Sequence, residues 1–382
     1  MRLLYASERP PFPFSLGGAA RSAHYLMSLL AKDFAVECLA VGSKAFAYPP
    51  LSIPRPDEYD ALGISEVIND DDTVTIRCGY TVQAIGDFSN SLLKVIDDFA
   101  PDVIWTQLDG VEGIVRAARM KGTKTILYLR DAEDAPVMLK SLAKAGVCII
   151  CNSQFMAGRV KRITGRAAHV IYPSLDVKFG VSGDPQGYIT MINPYRVKGI
   201  DTFLEIARLL PSERFLLVES WTLSDSALAT LQGKLAALPN VMFSRRVPDV
   251  QDIYRQTKLL LVPSVWEEAF GRVVIEAQSR KIPVVASQRG GLPEAVNDGG
   301  ICVQDYLNPK EWVTTIQHIL RDDNIYRELA RRAHAHAFSE IFSTQYAASR
   351  FLDICSDGSC YKPSFGYKIR TFIQQLSGNR QA

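Results

Sequence analysis

Short runs of aliphatic and β-branched residues alternate with longer amphipathic segments along almost the whole chain. This alternation predicts parallel β-sheets covered by helices. The strands predicted in the first half lie near residues 2–6, 35–41, 103–106, 123–129, 147–151 and 169–172. Those predicted in the second half lie near residues 188–192, 215–218, 241–243, 259–262, 283–286 and 301–303. After Pro309 the pattern becomes helical.

One stretch near the middle of the chain interrupts this alternation. Residues 172–187, YPSLDVKFGVSGDPQG, are rich in Pro, Gly and Asp, which is typical of a linker. We therefore predict a first domain over residues 1–177, a second over 178–345, and a C-terminal helix and tail over 346–382 that can cross back to the first domain. Two doubly wound domains in tandem form a cleft, and ligands bind at the carboxyl ends of such strands.

Composition and charge exclude several classes of protein. The chain has 382 residues, 47% of them hydrophobic, and a net charge of +2. That balance does not suit a broad phosphate-binding face, so we predict no nucleic-acid partner. No stretch reaches the roughly 18 to 20 apolar residues of a membrane span. The seven scattered cysteines suit a reducing compartment, so we predict a cytoplasmic protein and leave its oligomeric state open.

Three patterns that suggest other chemistry have simpler explanations. Cys148 and Cys151 have C-x-x-C spacing, but they lie in an apolar run that predicts a buried strand. The Asp-x-Asp pattern at 69–73, NDDDT, is typical of a solvated turn, so we predict no metal site there. No G-x-G-x-x-G follows a predicted strand, which disfavours a nicotinamide or flavin enzyme.

A pair of glutamates near residue 270 carries the strongest chemical signal. Glu268 lies in the loop after a predicted strand, and Glu276 lies inside the predicted helix that begins near Gly271. Free N–H groups at a helix start attract anions such as a diphosphate, and glycine permits close approach. Glu276 could then accept hydrogen bonds from a ribose diol and Glu268 from a second sugar. For an arbitrary glutamate a solvated role is the default, but the apolar neighbours of Glu276 make an unpaired charge there costly.

The same region resembles a known enzyme family. Residues 263–296, PSVWEEAFGRVVIEAQSRKIPVVASQRGGLPEAV, resemble the signature region of retaining glycosyltransferases of the GT-B fold, in family four, the glycosyl transferases of group 1. The similarity includes the Glu-x7-Glu motif, the Phe-Gly pair after the first glutamate, the Pro-Val-Val-Ala strand and the Gly-Gly-Leu-Pro-Glu loop.

Two further segments agree with this family in order and spacing. INPYRVKGIDTFLEIARLL, residues 192–210, resembles the basic loop whose arginine and lysine bind the donor diphosphate, which implies this role for Arg196 and Lys198. PFPFSLGGAARSAHYLMSLL, residues 11–30, resembles the N-terminal glycine loop, which implies that Gly17 and Gly18 approach the donor or acceptor. The resemblance covers nearly the whole chain and is weakest over residues 44–101 and after Ser356.

The resemblance implies an α/β protein with two Rossmann-like domains, C-terminal helices, and a retaining, metal-independent transfer of a sugar from a nucleoside diphosphate sugar to an acceptor hydroxyl. It implies catalytic roles for Arg196, Lys198 and Glu268, and no cofactor besides the donor. Arg130 and Asp131 follow a predicted strand where relatives carry a histidine, and we place them on the acceptor or sugar side, with an ordinary loop salt bridge as the alternative. Donor-binding positions are implied at Gly17, Gly18, Arg246, Val247, Phe270, Gly271, Arg272, Glu276, Gly290, Gly291 and Leu292.

The sequence leaves alternatives and partners open. A sugar phosphorylase, a nucleotide-sugar epimerase and a noncatalytic nucleotide-sugar-binding protein remain as rival functions. The resemblance favours bacterial glycan or cell-surface polysaccharide biosynthesis, with a glycan, lipid-linked or small-molecule acceptor. RVKRITGR, residues 159–166, is by default a solvated helix face, and peripheral contact with anionic lipid at the inner face of the membrane is the minority interpretation.

Overall fold

The computed structural model describes residues 1–15, 18–45, 53–107, 109–131, 136–175, 182–247 and 250–357. The predicted linker boundary at 177/178, Gly17, and the C-terminal tail beyond residue 357 lie outside these residues. The exact domain limits therefore stay a prediction.

The first part of the chain forms a nine-stranded sheet with the strand order β3-β4-β5-β2-β1-β6-β7-β8-β9. Seven strands are parallel, from β5 to β9, while β3 and β4 extend one edge as antiparallel strands. Its elements are β1 (Arg2–Ser7), α1 (Gly18–Asp33), β2 (Glu37–Ser43), α2 (Tyr59–Leu62), β3 (Glu66–Asn69), β4 (Thr73–Arg77), β5 (Thr81–Ile85), α3 (Phe88–Phe99), β6 (Val103–Thr106), α4 (Val111–Met120), β7 (Lys124–Leu129), α5 (Pro136–Lys144), β8 (Cys148–Cys151), α6 (Gln154–Thr164) and β9 (His169–Val170).

The second part forms a six-stranded, fully parallel sheet with the order β12-β11-β10-β13-β14-β15. Short β-branched strands buried on both faces are typical of such sheets. Its elements, with the last helix, are β10 (Tyr188–Ile192), α7 (Ile200–Leu209), β11 (Phe215–Val218), α8 (Asp225–Leu235), β12 (Val241–Ser244), α9 (Gln251–Arg255), β13 (Thr257–Val262), α10 (Arg272–Gln278), β14 (Val284–Ser287), α11 (Leu292–Val296), β15 (Gly300–Val303), α12 (Pro309–Arg321), α13 (Asp323–Ala337) and α14 (Thr344–Ser356).

Both sheets are covered by helices on two faces. In the first sheet, α1 and α14 share one apolar core with the strands, and α3 to α6 cover the opposite face. In the second sheet, α7 and α12 pack on one face, and α9, α10 and α11 pack on the other. The predicted fold class, two doubly wound α/β units with C-terminal helices, is confirmed.

The last helix, α14, packs on the first sheet although it follows the second in sequence. Phe351 is fully buried and its ring lies 5.2 Å from that of Trp105 in β6. Lys124, at the start of β7, donates hydrogen bonds of 2.7, 2.9 and 2.7 Å to the carbonyls of Ile354, Cys355 and Asp357. A cation on these terminal carbonyls also complements the helix dipole.

Each sheet has one point at which the strand order reverses direction. In the first sheet this point is between β1 and β6, and in the second it is between β10 and β13. A crevice opens there because the connections leave to opposite faces, and ligands of doubly wound sheets bind at its carboxyl end. The loops after β10 and β13 are the ones that carry Lys198 and Glu268.

Candidate functional site

The loops after β10 and β13 pack directly on each other. Gly199 has φ +85°, and a Cβ atom at this position would lie 1.8 Å from the carbonyl oxygen of Pro263. Only glycine permits this approach, which brings Lys198 beside Glu268. The Nζ atom of Lys198 lies 2.6 Å from Oε1 of Glu268, and the hydroxyl of Ser264 donates to the same oxygen at 2.7 Å.

The Lys198–Glu268 pair is largely shielded from water. The two side chains are 16% and 14% exposed, respectively. The ammonium group of Lys198 also lies 4.9 Å from the ring centroid of Trp221, whose side chain is half exposed. Lys198 and Ser264 both contact Oε1 of the Glu268 carboxylate, so a polar ligand can be bound through Oε2.

Glu276 is a paired residue inside the site. Its Oε1 lies 2.7 Å from Nε of Arg272, one turn earlier in α10, and its Oε2 accepts a 3.0 Å hydrogen bond from the hydroxyl of Tyr254. Burial, and then the adjacent Glu276, raises the pKa of Tyr254, so the phenol stays protonated and donates. This arrangement fits the expectation from the sequence that the charge of Glu276, among apolar neighbours, needs a partner.

Arg272 also reaches the first sheet's domain. Its Nη1 donates a 3.0 Å hydrogen bond to the hydroxyl of Ser22 in α1. Arg272 therefore joins the carboxylate of Glu276 to the helix that follows the N-terminal glycine pair. Gly18 is the first residue of that helix, and Gly17 lies outside the described residues.

The glycine pair after β14 packs against the loop of Glu268. Gly290 has φ +60°, and a Cβ atom there would lie 2.6 Å from the carbonyl oxygen of Glu268. The amide of Gly291 donates to that oxygen at 2.7 Å. Leu292 is fully buried against Gly271, which has φ +96°. The two loops thus form one unit whose backbone packing excludes side chains at both glycines.

The first domain contributes a cation at the carboxyl end of β7. Nε of Arg130 donates a 2.6 Å hydrogen bond to Oε1 of Gln107, and its guanidinium lies 3.9 Å from the ring centroid of Tyr128. Gln107 in turn donates to the hydroxyl of Tyr5 at 3.1 Å and to the carbonyl of Ala19 at 3.1 Å. Burial lowers the pKa of Arg130, and Arg272 is near enough to lower it further. Asp131 is exposed.

The other predicted site residues lie around this centre with different exposure. Arg196 is 91% exposed and lies 3.5 Å from Asp201, so the structure does not bring it into the Lys198–Glu268 pair. Arg246 is exposed and Val247 is half-buried against the core beside β11. The ring of Phe270 is 2% exposed and lies 5.6 Å from Tyr172 and 5.9 Å from Phe342.

Sequence reasoning missed four residues that complete the site. Ser264, Tyr254, Gln107 and Tyr5 orient the charged groups. Ser264 lies in the segment 263–296 but is not one of its motif residues, and the other three stand in no motif that separates them from core residues. The buried Glu219 lies 2.7 Å from Nε of Arg245 at the end of β12, beside the predicted base position, and it was missed for the same reason.

The acidic run and the cysteine pair, which the sequence analysis assigned to a turn and to a buried strand, lie away from the Lys198–Glu268 pair. Asp70, Asp71 and Asp72 form the tight turn between β3 and β4. Cys148 and Cys151 are buried residues of β8. Within the described ranges, no group of three or more His, Cys, Asp or Glu side chains is arranged to hold a metal ion. Across the same ranges, we find no helix long and apolar enough to cross a bilayer.

The fold and the location of this site define a class of protein. The chain shares its fold with sucrose-phosphate synthase from Thermosynechococcus elongatus, with a TM-score of 0.72 and 16% identity over 93% of this chain and 98% of that one. It is equally similar to HepE of Anabaena in complex with UDP and glucose, with a TM-score of 0.70 and 16% identity over 94% of this chain and 100% of that one. The fold is GT-B.

Sequence comparison supports one family. Residues 179–336 match the family described as glycosyl transferases group 1. A D-inositol 3-phosphate glycosyltransferase of Segniliparus rotundus is 29% identical over 239 residues, which are 53% of this chain and 52% of that protein. The chain spans about half the length or less of the curated relatives it matches. The resemblance inferred from the sequence is confirmed.

Proposed function

We propose that the protein is a retaining glycosyltransferase that moves a sugar from a nucleoside diphosphate sugar to an acceptor hydroxyl. The observation that carries the proposal is the Lys198–Glu268 pair, 2.6 Å apart at the strand-order reversal of the second sheet. A shielded cation and carboxylate at the position where such sheets bind ligands suit a donor with one anionic end and one polyhydroxyl end.

Lys198 stabilises the leaving group in this proposal. Breaking the anomeric bond moves negative charge onto the diphosphate, and a preoriented ammonium in a site of low dielectric constant stabilises that charge in the transition state. Arg196 closes over the same diphosphate when the donor is bound, and its exposure leaves it free to turn. These side chains take the place of a metal ion, so turnover requires no divalent cation.

The two glutamates bind the two sugar rings of the donor. Glu276, already held by Arg272 and Tyr254, accepts from the ribose hydroxyls. Glu268 accepts from hydroxyls of the transferred sugar, near its C3 and C4. Arg246 and Val247 line the base, and the backbone at Gly271, Gly290, Gly291 and Leu292 supports the diphosphate and the sugar.

The acceptor enters from the first domain. Arg130, held by Gln107 and stacked on Tyr128, presents a fixed cation to the acceptor or to the transferred sugar. The acceptor hydroxyl attacks from the face that the diphosphate leaves, and the leaving phosphate oxygen takes its proton, which gives retention. The relatives named D-inositol 3-phosphate glycosyltransferase support inositol-like polyols as acceptors to test. The structural relative in complex with UDP and glucose supports UDP as the nucleotide to test first.

The cellular context forms part of the same proposal. A cytoplasmic enzyme of bacterial glycan or cell-surface polysaccharide biosynthesis would use cytoplasmic nucleotide sugars and extend an acceptor at the inner face of the membrane. The family match of residues 179–336 and the bacterial relatives support this context.

A cationic helix surface supports peripheral membrane contact. The outward faces of α4, α5 and α6 expose Arg116, Arg119, Lys140, Lys144, Lys161 and Arg162. None of these six forms an ion pair within the described part of the chain, whereas the arginines of α13 pair with Asp323 and Glu328. Several of the six lie in the last turn of their helix, where a cation is favourable without any partner. The exposed Val137, in the first turn of α5, adds an apolar contact that favours a lipid surface over another polyanion.

One experiment tests the central proposal. Thermal unfolding is measured with UDP, GDP and ADP, and the nucleotide that stabilises most is then used to choose sugar donors for turnover with and without EDTA. We expect donor-dependent product with the anomeric configuration of the donor, read by NMR, at equal rates in both conditions. Product that requires inorganic phosphate instead would indicate a phosphorylase, and nucleotide binding without turnover on any acceptor would indicate a noncatalytic protein.

A further inference from the structure

The first turn of α6 is capped by the opposite domain. Ser153, the N-cap residue, accepts from the amide of Met156 at 3.0 Å, as an N-cap normally does. The next two free amides, of Gln154 and Phe155, donate to the carboxylate of Glu294 at 2.8 and 3.1 Å. Glu294 belongs to α11, on the second sheet. A helix cap that usually comes from the same helix is here divided between two domains.

The carboxylate of Glu294 accepts a third hydrogen bond. The hydroxyl of Tyr172 donates to its Oε1 at 2.6 Å. Burial, and then the hydrogen bond to Glu294, raises the pKa of Tyr172, so this phenol stays protonated. Three donors and the positive end of the α6 dipole all act on one ionised carboxylate, which is a strong arrangement for a contact between domains.

The same contact region encloses the loop of Glu268. Glu267 lies 2.8 Å from Nη1 of Arg159 in α6, and the carbonyl of Ala269 accepts a 2.5 Å hydrogen bond from Ser153. The side chain of Ala269 is 8% exposed and packs in the apolar core beneath α5 and α6. Both neighbours of Glu268 in sequence are therefore attached to α6.

Glu294 and Glu268 are also joined within the second domain. α11 begins directly after the glycine pair whose Gly291 donates to the carbonyl of Glu268. The α6 end, the glycine loop and the Glu268 loop thus form one connected unit. The contact between Arg272 and Ser22 lies elsewhere in the first domain. Ser22 belongs to α1, which follows β1, whereas α6 follows β8. In the first sheet β1 and β8 are three strands apart, or about 14 Å.

We propose that Glu294 is a positioning residue that fixes the sugar-binding loop of the second domain to α6 of the first. This fixed contact keeps Glu268 beside Lys198. The claim about Glu268 and the sugar rests on the proposed function; the claim that Glu294 fixes the loop to α6 does not.

A simpler explanation is that Glu294 only caps a helix at an ordinary interface. The two explanations predict different effects of removing the charge. A simple cap affects only the first turn of α6, whereas a positioning residue also affects the loop of Glu268. Glu294→Gln keeps the shape and removes the charge, and Tyr172→Phe removes one donor without changing the fold of the interface. Asp322→Asn is the matched control, because Asp322 caps α13 inside one domain by accepting from the amides of Asn324 and Ile325 at 2.8 and 3.4 Å.

The test combines amide hydrogen exchange of the full chain with kinetics. For Glu294→Gln we expect about tenfold faster exchange in the peptides covering 154–156, and also in those covering 266–271 and 289–292. We expect kcat with the sugar donor to fall about tenfold, while the Kd for the nucleoside diphosphate alone stays within about twofold. Tyr172→Phe should show the same pattern with smaller changes, and Asp322→Asn should change neither property.

Each outcome decides one claim. Faster exchange confined to residues 154–156, with kcat unchanged, would leave Glu294 a helix cap and overturn the proposal. Unchanged exchange at all three segments would also overturn it. If the wild-type protein turns over no donor, the proposed function fails, and the spread of exchange to 266–271 still decides whether Glu294 fixes the loop to α6.

Discussion

The shielded ion pair of Lys198 and Glu268 shows how single residues set up the site. Two buried charges 2.6 Å apart stabilise each other, and removing either leaves the other without its partner. In the proposed mechanism, the donor enters between them, and the diphosphate and sugar hydroxyls replace the contact that each side chain loses. The pair thus keeps both charges oriented before the substrate binds.

Replacing the cation tests this role. Lys198→Ala should lower kcat by a factor equivalent to about 3 to 4 kcal/mol, because a preoriented donor to the leaving group is lost. Steady-state kinetics with the correct donor measures this, and thermal unfolding checks that the variant is folded. The control is Lys234→Ala, which removes an exposed lysine that pairs with Asp201. Turnover equal to wild type in Lys198→Ala would remove the lysine from the catalytic centre.

Glu276 gives a second prediction at the residue scale, which can be tested independently of Lys198. Glu276→Ala should raise the Kd for the nucleoside diphosphate roughly tenfold to hundredfold, because a charged acceptor of two ribose hydroxyls is lost. Calorimetry measures the Kd, and Tyr254→Phe, which leaves the carboxylate in place but removes one of its supports, should have a smaller effect. Wild-type affinity in Glu276→Ala would show that the ribose binds elsewhere.

His24 provides a prediction about pH. Burial, and then Arg21, lowers its pKa from 6.5 to about 4, while the imidazole packs 4.1 Å from Phe12 and lies 3.1 Å from the hydroxyl of Tyr80. The folded state holds this group neutral, so the unfolded state binds the proton first as pH falls. The free energy of unfolding should therefore decrease from pH 6.5 to pH 4, by up to about 3 kcal/mol.

The histidine variant isolates this contribution. Urea unfolding at pH 7 and pH 5 should show a smaller pH dependence in His24→Gln than in wild type, and His318→Gln, at an exposed position of α12, should keep the wild-type dependence. The same slope in all three proteins would contradict the assignment to His24.

At the scale of elements, the sequence predicted every parallel strand except β5, because the apolar runs of these strands are distinct. The predicted strands at 103–106, 188–192 and 215–218 coincide with β6, β10 and β11. The strands β3, β4 and β5 were not predicted. In β3 most side chains, such as those of Glu66 and Asn69, are exposed, which weakens the alternation that marks a strand. They lie in the region where the family resemblance is weakest.

The site was predictable only where its residues belong to a motif. The spacing of Glu268 and Glu276 suits a nucleotide sugar, Lys198 stands in a segment that resembles the basic loop of the family, and the structure brings Lys198 to Glu268. Gln107 and Tyr254 were not predictable, because their partners lie 23 and 22 residues away in sequence and meet them only in the folded chain. Tertiary hydrogen bonds leave no periodic pattern in the sequence.

The attachment of α14 gives a prediction for an element. Lys124→Met should lower the free energy of unfolding by about 1 to 3 kcal/mol, because three carbonyls lose a charged donor. Urea unfolding followed by tryptophan fluorescence measures this, since Trp105 lies against this helix. Lys121→Met is the control, because Lys121 pairs with Asp97 at the surface, and an equal loss in both variants would contradict the structural role.

At the scale of the whole molecule, charge is unevenly distributed although the net charge is only +2. The arginines of α13 pair with neighbouring acids, while the six exposed cations of α4 to α6 named above form no ion pair within the described residues. A nearly neutral protein can therefore present one face to an anionic surface, and its overall pI gives no indication of this.

Vesicle binding tests the function of this face. Replacing Lys140, Lys144, Lys161 and Arg162 by glutamine should weaken binding to vesicles containing phosphatidylglycerol at least about tenfold, since each cation near such a surface contributes about 1 kcal/mol. Cosedimentation at low and high salt measures it. Gln replacements at Arg208, Arg327, Arg331 and Arg332 are the control and should bind as wild type. Equal binding by both variants, or none by wild type, would exclude this face as the contact.

The position of α14 also has a consequence for the order of assembly on the ribosome. Strands β1 to β9 emerge first, yet the hydrophobic side of Trp105 stays uncovered until Phe351 has been synthesised. The sheet that begins the chain is thus the last to complete its interior, and the sheet translated later can finish before it. A nascent chain would protect the later unit from proteolysis first, the reverse of the usual N-to-C sequence.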